Sequence, residues 1–461
     1  MSANVSYPPS RRHSLSLFDR LLSASLIVLC AAVLVHLYSG SDTAGTIAAS
    51  AWLAFLVTGQ AHFRTRERLL MSLAAILTLA AFLLPADATA LLGRALGQAA
   101  FLAAFMILLA LLREGAVTSD AVLGLGRYLT RQPPGRRYTA ISSGGHALGI
   151  FLNFGALSLL GPLVQRGLRE DIDEADRHLI AIREQRQMSA LARGFSWIIV
   201  WSPTAVTQAL VSTIVVGARP GKVAAIGALV AVAVLLAGWL EDRWRGKQAR
   251  ARFAAEGRPP ATLAQVAFPK RDFAMFSSIC LALAALTVLL VLTVRVTTIH
   301  ALMLVAPIVT FGWLWLQVRL LPDAVSRLRA RLIDIVAVSA PRGAPEALTL
   351  SIAGYCGIVA AGLMPPEILA SLVRIDTVPP LLLYLAAAFL VPVASNAALP
   401  PILTVTFIGS LYSALPEPPG DPTLLAAAFA LGWALNLTAS PFGATGLVLS
   451  RATGLPATTL T

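Results

Sequence analysis

Residues 194–211 read GFSWIIVWSPTAVTQALV, and residues 432–449 read GWALNLTASPFGATGLVL. Set against each other without gaps, Gly194 falls on Gly432, Ser202 on Ser440, Pro203 on Pro441 and Thr207 on Thr445. A second shared element precedes each copy: GIFLNFGALSLLGPLV at 149–164 and VPVASNAALPPILTVTF at 391–407. Both are apolar stretches interrupted by Asn and small residues, with Pro close behind. The order, an Asn-centred break and then a Ser-Pro break, therefore occurs once in each half. Paired interrupted segments in corresponding positions of an apolar chain point to the binding site of a secondary transporter.

Composition places the chain in a membrane. It is 57% hydrophobic with only 13% charged residues, against roughly 25% charged in soluble domains. The net charge of +13 comes from Arg in the connecting loops, a distribution that reports orientation in a bilayer and not nucleic-acid binding. Cys30, Cys280 and Cys356 sit singly in apolar segments, so neither a disulfide framework nor a metal site is expected. Ser10-Arg11-Arg12 faintly resembles a twin-arginine signal, but the run 21–38 is long for a signal and lacks a small-residue cleavage site. It reads as a first transmembrane helix.

Apolar stretches of about 20 residues suit membrane spans. They fall at 21–38, 44–60, 69–85, 95–112, 194–216, 221–240, 273–295, 300–318, 345–363 and 422–451. The stretches 138–164 and 379–413 are longer and interrupted. Arg11, Arg12 and Arg20 before the first span, Arg64, Arg66 and Arg68 after the second, and Arg113, Arg127 and Arg131 after the fourth place the N-terminus in the cytoplasm. Basic residues flank 138–164 on both sides, so it enters and returns on one side as a re-entrant hairpin meeting near Asn153-Phe154-Gly155. By the same reasoning 379–413 is a hairpin entering from outside and turning near Ser395-Asn396. Opposite entry sides make an inverted repeat. The expected fold is therefore an all-α polytopic membrane protein with about ten transmembrane helices, two re-entrant hairpins and two broken helices. Its expected parts are scaffold helices over 1–137, a first transport repeat over 138–240, a cytoplasmic linker over 241–272 and a second half over 273–461. The charged segment 165–193 reads as an interfacial helix.

Proline lacks a backbone N–H and clashes with the preceding turn, so Pro203 and Pro441 are expected to break their helices. Freed backbone groups survive in lipid only beside protein or a wet cavity. Hydroxyl, amide and carbonyl oxygens there suit a small cation, and new helix N-termini suit an anion. The candidate binding residues are Asn153, Gly155, Ser202, Pro203, Thr204, Thr207, Ser395, Asn396, Thr438, Ser440, Pro441 and Thr445. Neither hairpin nor either Ser-Pro segment carries Asp, Glu, Lys or Arg in its apolar part. Coupling through neutral oxygens favours Na⁺ over direct proton carriage, although Glu346 at the start of a span is able to titrate. His146 and His36 read as packed or hydrogen-bonded, and Trp197 and Trp201 as packed, with Trp201 the better placed to line the site. No catalytic residues and no cofactor are expected. A membrane-embedded enzyme would need a nucleophile–base or metal set that does not stand out; a channel is the other alternative.

The Asn-Phe-Gly-Ala…Gly-Pro-Leu-Val run, GFSWIIVWSPTAV, SNAALPPI and GWALNLTASPFGATGLVL together resemble the ion transporter superfamily of arsenite permeases, citrate carriers and divalent-anion/sodium symporters, over about 140–215 and 345–451. The resemblance implies a scaffold domain and a mobile transport domain, an elevator mechanism, a homodimer and a small anionic substrate. It places hairpin tips at Asn153 and Ser395-Asn396 and helix breaks at Ser202-Pro203-Thr204 and Ser440-Pro441. Two departures bear on the substrate: neither tip has the Ser-Asn-Thr of the dicarboxylate branch, and Phe154 stands where arsenite-type permeases have an acid. The Ala/Arg-rich, Lys-poor composition points to a bacterial inner membrane.

Overall fold

The computed structural model describes residues 16–83, 87–171, 177–255, 267–365, 378–397, 399–415, 417–440 and 443–460. Those residues form helices and connections, with no strand among them. The first four helices are α1 (Leu17–Ser39), α2 (Asp42–Thr58), α3 (Thr65–Leu83) and α4 (Ala88–Val117). Their ends are written in the sequence. Ser16 and Asp19 form a capping box at the start of α1, and Gly40 closes it at φ 68°. Asp87 accepts from the Ala90 N–H to start α4.

The first half continues through α5 (Asp120–Thr130), α6 (Pro134–Leu152), α7 (Gly155–Asp171), α8 (Arg177–Ser196), α9 (Val206–Ile214) and α10 (Pro220–Ala255). The second comprises α11 (Lys270–Val294), α12 (Thr298–Val318), α13 (Ala324–Asp334), α14 (Ala340–Gly362), α15 (Pro380–Asn396), α16 (Pro401–Ala414), α17 (Pro422–Ala439) and α18 (Ala444–Thr453), with a last turn at Ala457–Leu460. Among the described residues, seven helical stretches are long and apolar enough to cross a bilayer, α1, α4, α10, α11 and α12 among them, with α2, α15 and α16 as shorter apolar helices. Leu229 on α10 and Leu292 on α11 are 74% and 72% exposed, as lipid-facing side chains are and core side chains are not. The chain is a polytopic helical membrane protein.

Two apolar clusters organise the interior. One joins α1, α2, α4, α14 and α16 around Phe105, Leu348 and Val405. The other gathers the α6–α7 pair and α8 against α11, α12 and α17 around Phe195, Trp313 and Leu437. Buried polar atoms inside the first cluster find one another. Trp52 Nε1 donates to Ser351 Oγ at 3.0 Å, and Tyr355 Oη meets Thr78 Oγ1 at 2.7 Å, as a site without water requires.

The glycines that open the repeated phrase have matching jobs. Gly194 of α8 crosses α6 where a Cβ would run into the Ser142 carbonyl oxygen, and Gly432 of α17 crosses α15 where it would run into that of Ala388. In each half, the helix leading to the Ser-Pro break thus touches the first arm of the preceding helix pair backbone to backbone.

Three boundaries differ from the sequence reading. The segment 165–193, expected as one interfacial helix, is divided: its start completes α7 to Asp171, and from Arg177 it is α8, which packs on α6 and α7 as the first arm of the broken helix. The expected linker at 241–272 begins later, because α10 continues to Ala255. Glu241 pairs with Arg245 one turn on at 2.8 Å and with Arg193, and Asp242 pairs with Arg186, so the charged end stays helical. Arg327, Arg329 and Arg331, between the spans expected at 300–318 and 345–363, lie in α13, which runs into α14 through a turn of π-helix at Ile335–Ser339. Each arm of the first hairpin is also longer than a half-span, at 19 residues for α6 and 17 for α7.

Replacing Gly194 or Gly432 with Leu is expected to push these crossings apart and to lower the unfolding temperature in detergent, with less monodisperse protein on gel filtration. Gly343→Leu, where a Cβ meets nothing within 4 Å, is the control and should change neither.

Candidate functional site

The first helix pair turns on one residue. Asn153 has φ 49° and ψ −135°, a positive-φ conformation outside the left-handed helical region that few side chains adopt. Its N–H donates to Gly149 O at 2.9 Å and closes α6, while its carbonyl accepts from Ala156 N at 3.0 Å and opens α7. Asn153 lines a cavity shared with Thr204, Phe105, Phe154, Arg113 and Glu346. Gly155 borders it, since a Cβ there would sit 3.1 Å from Arg113 Nε.

The facing break begins earlier than Pro203. α8 ends at Ser196, a tight turn of 3₁₀ helix covers Trp197–Val200, and Ala205 is extended before α9 resumes. Ser202 N donates to Ile198 O at 2.8 Å and Ala205 N to Ser202 O at 2.9 Å. Ser202 Oγ and Thr204 Oγ1 lie 2.8 Å apart. The carbonyls freed by the break are met by Gln208, whose Nε2 donates to Val200 O at 2.7 Å and to Ile199 O at 3.4 Å. This amide is 2% exposed.

His146 braces the break from the hairpin arm. Trp201 Nε1 donates to His146 Nε2 at 3.0 Å, and His146 Nδ1 lies 2.8 Å from Gly194 O. An indole N–H only donates, so Nε2 is bare, Nδ1 carries the hydrogen, and the ring is neutral. The rings stack at 5.7 Å. Trp201 is therefore a strut turned onto His146, and His146 is the hydrogen-bonded residue expected of it.

In the second half the same two elements meet. α15 ends at Asn396, α17 ends at Ala439, and Ser440 Oγ donates to Asn396 Oδ1 at 2.9 Å. Pro441 lies outside the described residues. Ser395 and Thr438 return their hydroxyls to their own helices, at Val391 O (2.9 Å) and at Ala434 O (3.0 Å). Thr445 Oγ1 lies 3.2 Å from Ser196 Oγ in the interior, linking the two broken helices. Thr207, its counterpart, is buried.

Asn153 and Thr204 thus share one cavity, with Ser202 tied to Thr204 and Gly155 at its edge. Asn396 and Ser440 form a separate pair that does not line that cavity. Sequence reasoning passed over Gln208, Arg113 and Asn436. Asn436 is 3% exposed and its Oδ1 has no hydrogen-bond partner among the described residues. Its signal was a lone amide four residues before Ser440 in an apolar run. Arg113 had no such signal, being forty residues upstream of the turn it touches.

Gln208→Leu is expected to leave the Val200 carbonyl unpaired and to cost about 1–3 kcal/mol, read as a lower midpoint in denaturant unfolding of the detergent-solubilised protein.

No known family model matches the chain, and no curated protein matches it. Among solved structures, the YdaH transporter of Alcanivorax borkumensis, whose crystal structure is described as having an unusual topology, aligns at 16% identity over 86% of this chain and 100% of that one, with a TM-score of 0.39. A likeness of that degree says nothing of what this chain does.

Proposed function

We propose that the protein is a secondary active transporter carrying a small anionic solute across a bacterial inner membrane by elevator-type alternating access, with Na⁺ as the coupling ion. One observation carries this reading. In each half an Asn-bearing turn between two helices lies against the interruption of the helix that follows, through the cavity of Asn153 and Thr204 and through the 2.9 Å contact of Ser440 with Asn396. Regular helix is given up at two places inside an apolar protein, which is stable only where the freed groups meet protein or a wet site.

The chemistry of the two halves differs. Around Asn153 the cavity offers an amide, a hydroxyl and a guanidinium, donors suited to an anion, beside the carboxylate of Glu346. In the second half Asn436 Oδ1, without a hydrogen-bond partner among the described residues, lies one helical turn before Ser440. A neutral oxygen of this kind suits a small hard cation. The order of interrupted elements supports membership of the ion transporter superfamily and an inverted repeat; that resemblance brings a homodimer, and the arginine-rich loops a cytoplasmic N-terminus, as parts of the same reading. Asn153, Gly155, Ser202, Pro203, Thr204 and Thr207 belong in it to one half-site, and Ser395, Asn396, Thr438, Ser440, Pro441 and Thr445 to the other.

Asn153→Ala and Asn396→Ala are expected to abolish solute uptake while leaving membrane insertion and gel-filtration behaviour unchanged; normal uptake by both removes the site. A thermal-shift screen of anions with and without Na⁺ tests substrate and coupling together, because a ligand of the native state raises its stability. The expected result is stabilisation by an anion that is larger in Na⁺ than in K⁺ at equal ionic strength.

A further inference from the structure

Two charged side chains from outside both hairpins face the first cavity. Arg113 stands near the end of α4 and Glu346 in the second turn of α14. Both are exposed, and neither takes part in an ion pair or hydrogen bond with another described residue. The neighbouring acid Glu114 is already engaged, with Arg331 at 3.6 Å and Ser339 Oγ at 2.8 Å. Arg113 and Glu346 therefore line one cavity with opposite charges and do not close onto each other. Asn153, Thr204 and the apolar Phe105 and Phe154 line the same cavity.

We propose that Arg113 and Glu346 read the two ends of a zwitterionic solute with an apolar body, as in an amino acid with an aliphatic or aromatic side chain. Two opposite charges on one cavity wall, neither closed onto the other, offer a solute a charge-assisted contact at each of its ends. A solute with a carboxylate alone gains Arg113 but meets the like charge of Glu346, and a dianion meets more of it; a solute carrying both signs satisfies both. Its carboxylate lies against the guanidinium, the Asn153 amide and the Thr204 hydroxyl. Its ammonium lies against Glu346, and its side chain against the phenylalanines. The inference rests on the carrier reading above and replaces its anionic solute with a zwitterion, whose carboxylate is the anionic end.

The test uses the full chain, by thermal shift in detergent and counterflow in proteoliposomes, with four probes: leucine, N-acetyl-leucine, leucinamide and succinate. Leucine is expected to act at about tenfold lower concentration than any of the other three, the usual worth of one charge-assisted contact. Glu346→Gln should bring N-acetyl-leucine level with leucine, and Arg113→Gln should do so for leucinamide, whereas Glu346→Asp and Arg113→Lys should keep the preference for leucine. N-acetyl-leucine or succinate acting on the unaltered protein as well as leucine overturns the zwitterion and leaves a carrier of anions standing. Failure of leucine while an inorganic anion is exchanged overturns it in the same way. Absence of counterflow with all four probes and with inorganic anions removes the carrier and this inference together.

Discussion

A helix interrupted inside a bilayer is held by whatever replaces its missing hydrogen bonds, and the rest of this structure depends on how that is done. At the first interruption the replacement is the side chain of Gln208, which reaches back to the Val200 carbonyl from the first turn of the resumed helix. His146 and Trp201 brace the same segment against the hairpin arm. Each of these groups is polar and largely enclosed, and each is committed to a partner. The interruption is thus a fixed piece of architecture, with Asn153 and Thr204 held on one side of it.

The two halves repeat this scheme with different chemistry. Gly194 and Gly432 bring the leading arm of each broken helix against the first arm of its hairpin, backbone to backbone. Beyond that crossing the halves diverge. The first uses an amide to satisfy its carbonyls; the second places Ser440 on Asn396 and leaves Asn436 Oδ1 unpaired among the described residues. The hydroxyls of Ser196 and Thr445 then join one interruption to the other.

Much of this was legible in the sequence because it was said twice. Apolar runs of spanning length announced the helices, and the repeated Gly and Ser-Pro positions marked the crossings and breaks. What repetition does not encode was missed. Arg113 meets Gly155 only through the return of the chain forty residues later, and no local spacing predicts that approach. The charged stretch after Arg177 looked interfacial because its composition is polar, yet tertiary packing on α6 and α7 made it a helix arm. The end of α10 looked like a linker for the same reason, until its ion pairs with Arg186 and Arg193 are counted. Ser395 and Thr438 have the right chemistry for ligands, but their hydroxyls are returned to the backbone one turn behind, a choice of rotamer that sequence leaves open.

The length of α10 has a mechanical consequence. Its 36 residues make a rod of about 54 Å at roughly 1.5 Å per residue, against a hydrocarbon layer about 30 Å thick. The rod is therefore longer than the layer is thick, and two guanidinium–carboxylate clasps, at Glu241 and Asp242, fasten its charged turns to α8. Neither helix slides past the other without parting an ion pair, so α8 and the Gly194 crossing it carries are tied to a neighbour that outreaches the hydrocarbon.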